Sequence, residues 1–280
     1  MRAPVKTLIL SDFHLGVPAS RFSPFLDSIR HLASQYDRVI LNGDTLDRYE
    51  APHCTAKSEA LLKDVVEACQ SRSGPPEMIM GNHDPAVSKL QWVYLERSAT
   101  LVFHGDCIAD ITHPTKKSEQ ALAARLRARW AQFGGRPQGF VELVDAYRRT
   151  QAQHLREHPM AREPRGKLAY LASVVLPPQK PLHILRYWWR APRLAAQLVA
   201  AFPKPVRHVL VGHTHNAGQW QINGITVFNT GSFMPLSVPY AASIEGHRVF
   251  FRPLEPLLLS TRVYSFPSDA STTCASAGEA

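Results

Sequence analysis

The 280-residue chain has only four cysteines, Cys54, Cys69, Cys107 and Cys274, and no C-x-x-C pair. That spacing argues against a zinc ribbon or a disulfide scaffold and suits a reducing compartment. Long hydrophobic runs are also missing. The longest, 168–178 and 194–202, are about half of the roughly 20 residues that a membrane-crossing helix needs. Near the N-terminus, Thr7 to Leu10 is a short apolar run with no small-residue cleavage site after it, so no signal peptide is expected. The expected location is the cytoplasm, with peripheral attachment to the inner face of the membrane left open. Apolar residues are not scarce: aliphatic, aromatic and Cys residues make up 45% of the chain. That is enough for a sizeable core and excludes a disordered chain.

The net charge of +9 is unevenly spread. Segment 115–207 carries 18 Lys and Arg against 5 Asp and Glu, and the rest carries 14 against 18. A slightly acidic body therefore bears one strongly basic segment. Such a field favours phosphates, anionic lipid surfaces or nucleic acid as partners.

Strand and helix signals alternate through the first part of the chain. Val5–Leu10, Arg38–Leu41, Met78–Met80 and Leu101–Phe103 read as strands. Ser23–Gln35 has helical spacing, with Ser23 as its cap and Pro24 in its first turn, and Thr55–Cys69 is a second helix. Between 115 and 207 the pattern is helical: Ser118–Phe133, Phe140–Glu157 and about Pro192–Phe202. Gly134-Gly135-Arg136-Pro137 marks a turn between the first two. Strand signals return at His208–Val211, Gly218–Ile222, Ile225–Asn229, Ala241–Ile244 and Val249–Arg252, with Asn223-Gly224 as a hairpin turn. The pattern gives an α/β body over 1–114 and 208–266, a basic helical insertion or cap over 115–207, and a disordered Ser/Thr/Ala-rich tail over 267–280.

Five short motifs follow strand-like runs. They are Asp12-Phe13-His14, Gly43-Asp44, Gly81-Asn82-His83-Asp84, His104-Gly105-Asp106 and Gly212-His213-Thr214-His215. One such motif carries little information, but the five in this order are specific. Two neighbouring divalent cations need hard oxygen and imidazole ligands, with a carboxylate between them to offset their repulsion. In an extended segment, residues i and i+2 share a face, so Asp12 and His14 can reach one ion.

The set resembles the calcineurin-like metallophosphoesterase superfamily over about 5–114 and 208–253. That resemblance implies a four-layer α/β/β/α sandwich with the site on strand-end loops. It also implies two divalent metal ions, Mn²⁺ first among the candidates with Fe and Zn as alternatives. Asp12, His14 and His215 would hold one ion, Asn82, His104 and His213 the other, and Asp44 would bridge both. His83 is the candidate to protonate the leaving oxygen or stabilise the transition state. Asp47 either orients a ligand or pairs locally, and Asp84 is expected to orient His83. Arg48 is a candidate phosphate contact, because Gly43-Asp44-Thr45-Leu46-Asp47-Arg48 resembles the G-D-x-x-D-R-G of protein phosphatases, with Tyr49 in place of the last Gly.

Reaction class is clearer than substrate. The insertion combines basic clusters (Lys116-Lys117, Arg125/Arg127/Arg129, Arg148-Arg149) with apolar stretches, Leu168–Leu176 and Tyr187-Trp188-Trp189. Basic and apolar together suit a phosphorylated lipid. A helical insertion between the H-G-D and G-H-x-H motifs looks like the UDP-2,3-diacylglucosamine diphosphatases of lipid A synthesis, although that branch usually carries Arg where this chain has His83. The expected activity is cleavage of a phosphoester, with the pyrophosphate of a UDP-linked acylated sugar as the favoured target. The alternatives are a nucleotide or nucleic-acid phosphodiesterase, nucleic acid being the less favoured partner, and a non-catalytic metal-binding scaffold.

Overall fold

The computed structural model describes residues 5–47, 55–108, 116–157, 176 and 179–254. Among these, ten strands and five helices follow in order: β1 (Lys6–Leu10), α1 (Leu26–Ala33), β2 (Arg38–Asn42), α2 (Ala56–Ala68), β3 (Glu77–Ile79), β4 (Trp92–Leu95), β5 (Thr100–Phe103), α3 (Lys116–Ala131), α4 (Phe140–Glu157), α5 (Gln179–Val199), β6 (His208–Val211), β7 (Gly218–Ile222), β8 (Ile225–Asn229), β9 (Tyr240–Glu245) and β10 (Arg248–Pro253).

The strands form two five-stranded sheets, ordered β10-β9-β1-β2-β3 and β4-β5-β6-β8-β7. In the first, β1, β2 and β3 run parallel. In the second, β5, β6 and β8 do. Side-chain alternation along these buried strands builds the layers. Leu8 and Leu10 of β1 and Val39 and Leu41 of β2 join α1 and α2 in one core. Ile9 and Ile40 point the other way and meet Val102, Leu210 and Phe228 of the second sheet. The opposite face of that sheet offers Leu101, Phe103, Val209, Val211 and Val227 to α3, α4 and α5. The result is the α/β/β/α sandwich.

The helices after residue 115 share this third core with the sheet. Leu122, Leu126, Phe140, Val144, Tyr147, Ala195 and Val199 are all within it. They form the sandwich's outer layer on that side, so removing them would expose the inner strands.

Several local expectations need correction. Ser23 is no cap: it opens a short 3-10 turn, Ser23–Phe25, and no side chain caps it. Thr55 does cap α2, accepting from Ser58 N at 3.2 Å while Ser58 Oγ accepts from Thr55 N at 2.7 Å. β4 has no counterpart in the sequence reading; it is an antiparallel edge strand whose register comes from β5. α5 starts at Gln179, well before Pro192, and takes in Tyr187-Trp188-Trp189. A proline in a helix interior removes one backbone hydrogen bond. Here the buried stripe of Tyr187, Ala191, Ala195 and Leu198 overrides that local signal. Asn223 and Gly224 both have positive φ, 50° and 79°, as a tight hairpin turn requires. The expected tail at 267–280 and most of Leu168–Leu176 lie outside the described residues.

Candidate metal centre

The parallel strands β1, β2, β3, β5 and β6 all deliver their C-terminal ends to one edge of the sandwich. Loops at that edge carry Asp12 and His14, Asp44, Asn82 and His83, His104, and His213 and His215. Pairing between the first two loops continues past the strands. His14 N donates to Asp44 O (2.9 Å), Leu15 N to Thr45 O (3.0 Å), and Leu15 pairs with Leu46.

Three groups of ligand atoms converge there, each within 4.8 Å: Asp12/His14/His215, His14/Asp44/His83 and Asp44/His104/His213. His14 Nε2 lies 3.0 Å from His215 Nε2, and His215 Nε2 is 3.4 Å from Asp12 Oδ1. Asp44 Oδ2 is 3.1 Å from His104 Nε2 and 3.8 Å from His14 Nε2. Asn82 Oδ1 faces His104 Nε2 at 3.2 Å and His213 Nδ1 at 2.8 Å. All seven sequence candidates for metal ligands are therefore gathered in one place, with Asp44 in two of the clusters. Arg48 lies outside the described residues.

The electrostatics call for cations. Burial lowers His14 to about 3 and His213 to about 4, so both rings are neutral near pH 7. A neutral imidazole can turn a nitrogen lone pair to a metal. Burial also opposes charge on His104, but the Asp44 carboxylate beside it wins and raises it to about 10. Burial would raise Asp44, yet the charges of His104 and His83 hold it well below the usual carboxylate range. His104 Nδ1 pairs with the Asn42 carbonyl at 3.0 Å. That contact uses Nδ1–H as donor and leaves the Nε2 lone pair of a neutral ring facing a carboxylate oxygen. Two acceptors in a buried gap of 3.1 Å repel unless a proton or a metal ion sits between them. The donor set fits divalent cations.

The backbone is strained where the candidates lie. Asp12, His14, Asp44, His213 and His215 all have left-handed φ between 48° and 61°. Each such non-glycine residue costs on the order of 1–3 kcal/mol, and such residues cluster at functional sites. The motif glycines supply clearance. A Cβ on Gly81 would overlap the Asp44 carboxylate, and one on Gly212 would overlap that of Asp12.

Asp84 does not orient His83. It is fully buried, and its carboxylate accepts from the N–H groups of Asp44, Thr45, Leu46 and Gly81, at 2.7 to 3.2 Å. It ties the Asp44 loop to the Asn82 loop. Asp47 holds His83 instead, with Oδ1 2.6 Å from Nδ1. Arg148 is no free phosphate ligand. Its guanidinium pairs with both carboxylate oxygens of Asp106, at 3.0 and 3.2 Å, in a site where its side chain is only 11% exposed. Arg149 pairs with Asp145.

Two contacts join the helices to the candidate centre, and the sequence reading missed both. Arg148 fastens α4 to the His104-Gly105-Asp106 loop. Trp188 Nε1 of α5 donates to Thr214 O, between His213 and His215, at 2.8 Å. The acidic member of H-G-D was a signal for the first. The second has no sequence signature, because its acceptor is a backbone oxygen.

Strand-end loops on an α/β/β/α sandwich, bringing imidazoles, carboxylates and an amide together, define a metal-dependent hydrolase of phosphoesters. The family model described as calcineurin-like phosphoesterase matches residues 5–217, and the chain belongs to that family. Its members use divalent metals, and the clusters described above are this chain's candidates to hold them. No curated protein matches. Solved structures include Yfce, a phosphoesterase from E. coli, at 13% identity, covering 90% of this chain and 94% of that one with a TM-score of 0.39. Vps29 from Entamoeba histolytica complexed with zinc is 14% identical, with coverages of 89% and 92% and a TM-score of 0.36. A conserved protein from Streptococcus pneumoniae is 15% identical, with coverages of 91% and 92% and a TM-score of 0.35.

Proposed function

We propose that the chain hydrolyses a phosphoester or phosphoanhydride in an amphiphilic substrate, the pyrophosphate of a UDP-linked acylated sugar being the favoured case. The proposed ligands are Asp12, His14 and His215 for one ion, Asn82, His104 and His213 for the other, and Asp44 for both. The observation that carries this reading is the position of Asp44, facing His104 on one side and His14 on the other. Divalent cations bound there would activate water and offset charge on the phosphoryl oxygens. The chain's own part is to aim these groups. Asp47 holds the His83 ring, so that its other nitrogen can pass a proton to the leaving oxygen.

The amphiphilic part of the reading rests on α5. Its sequence contains no Asp or Glu and carries Lys180, Arg186, Arg190 and Arg193. Leu182, Leu185 and Trp189 are 56–69% exposed at helical spacing, and Arg193 lies 4.3 Å over the Trp189 ring. An exposed apolar stripe beside basic side chains suits an anionic lipid, held either as substrate or as a membrane surface. Among the described residues no helix is long and apolar enough to cross a membrane.

A substrate panel with added Mn²⁺ tests this reading. It should contain a UDP-linked acylated sugar in mixed micelles, a cyclic nucleotide and single-stranded DNA. The UDP-lipid is expected to have the highest kcat/KM. Turnover of DNA or the cyclic nucleotide without turnover of the lipid would overturn the amphiphile and leave the phosphoesterase standing.

A further inference from the structure

We infer that Arg148 is a positioning residue for one of the two proposed ions, the one assigned to Asn82, His104 and His213. Its guanidinium sets the separation of the two loops that carry Asn82 and His104. This rests on the two-ion reading, and goes further by giving the helical segment a part in metal binding. Arg148 projects from α4, and its Nε and Nη2 each take one oxygen of the Asp106 carboxylate, at 3.2 and 3.0 Å. Nη2 also lies 3.5 Å from Met80 O. Asp106 follows His104 by two residues, and Met80 precedes Asn82 by two. One rigid, planar group thus meets both loops. Among the described residues it makes no bond to the loops that carry Asp12, His14 or Asp44.

The position of the Asp106 turn reaches the third proposed ligand as well. Gly105 has a φ of 109°, and a Cβ there would lie 3.3 Å from Val211 Cβ and 3.5 Å from His213 Cβ. His104 O accepts from Gly212 N at 2.8 Å. The turn is therefore wedged against the loop that carries His213. A shift of the turn would move the His104 and His213 rings, and with them the two partners of Asn82 Oδ1. Arg148 acts on these ligands through the turn and touches none of them.

Stability alone is a poor account of this pair. Cys107 and Ile108, the next two residues, already anchor the turn in the apolar core with Leu122, Leu143 and Tyr147. A buried ion pair seldom gains over apolar side chains of the same size. Here Arg148 Nη1 is also buried with no partner among the described residues, which adds to the cost. What two parallel N–H···O bonds supply, and apolar contact does not, is a fixed distance and angle. The neighbouring Arg149 is the natural control. Its side chain is 68% exposed and pairs with Asp145 on its own helix.

The test is a Mn²⁺ titration of full-length protein followed by electron paramagnetic resonance, which needs no turnover. Arg148→Met is made alone and together with Asp106→Asn. The double variant removes both charges at once, so it leaves no buried ion unpaired and decides the matter where the single variant fails to fold. Two ions at the usual separation of about 3.5–4 Å give a magnetically coupled pair, unlike the spectrum of an isolated ion. In the double variant one Mn²⁺ should bind within about twofold of its wild-type affinity and the other about tenfold more weakly. At equal Mn²⁺ the spectrum should then show an isolated ion where the wild type shows a coupled pair. Raising Mn²⁺ by the same factor should restore the pair, because the ligands themselves are intact. Arg149→Met should titrate as the wild type does. Two unchanged affinities in the double variant would overturn the inference. So would equal weakening of both ions, which is what a general loss of packing produces. A wild type that takes up a single Mn²⁺ would mean that the two-ion reading has failed, and the inference with it.

Discussion

Asp44→Ala is expected to lose activity on an aryl phosphodiester and most of the bound metal, and to lose more of both than Asn82→Ala. Asp44 Oδ2 faces His104 at 3.1 Å and His14 at 3.8 Å, whereas Asn82 faces only His104 and His213. Removing Asp44 takes a ligand from both proposed ions and leaves two buried positive centres without the carboxylate between them. Losing an outer partner of a metal ligand costs about 10–100-fold, so loss of the bridge should exceed that range. Asp44→Asn keeps the shape and separates chemistry from folding. Elemental analysis and kcat on the same samples check the prediction. Wild-type metal content in Asp44→Ala would show that Asp44 is not the bridge.

His83→Ala should have an effect that depends on the leaving group. The ring is held by Asp47 Oδ1 at 2.6 Å, while the His83 backbone N–H donates to Asp44 Oδ1 at 2.9 Å. Alanine removes the ring and keeps the backbone bond, so the metal loop should hold its shape. A general acid is worth about 10²–10⁴-fold where the leaving oxygen needs a proton. An alkyl ester should therefore suffer a loss in that range, and a nitrophenyl ester, whose leaving group departs as a stable anion, a loss below about tenfold. Rates across a series of leaving-group pKa values check this. A uniform loss would mean that His83 positions or stabilises charge without donating a proton.

Much of the centre was legible in the sequence because its ligands follow short buried strands. Leu8–Leu10, Val39–Leu41 and Val209–Val211 are continuous apolar runs, and a candidate ligand (Asp12, Asp44 or His213) follows each within three residues. The glycines in G-N-H-D and G-H-T-H were legible as motif members, while their reason is spatial: carboxylates from other loops occupy the space of their missing side chains. The roles of Asp47 and Asp84 could not be told apart in sequence. Each is three residues from a candidate ligand or nearer, and only the fold decides which one meets an imidazole and which meets four backbone N–H groups. β4 was missed because pairing with β5, which is not a local property, stabilises it, and the first turns of α5 because Pro192 reads as the opening of a helix.

Contact between α4 and Asp106, and between α5 and Thr214, changes how the helical segment can be tested. Deleting it would open the core formed by Leu122, Phe140, Tyr147 and Val199 with the second sheet. Point substitutions at exposed positions such as Leu185 and Trp189 probe the lipid reading without that damage.

Metal dependence is the most direct test of the central claim. Full-length protein stripped with a chelator should have no measurable activity on bis(p-nitrophenyl) phosphate. Activity should return on titration with Mn²⁺ and level off near two ions per chain by elemental analysis of the same sample. Undiminished turnover in protein shown to be metal-free would contradict it.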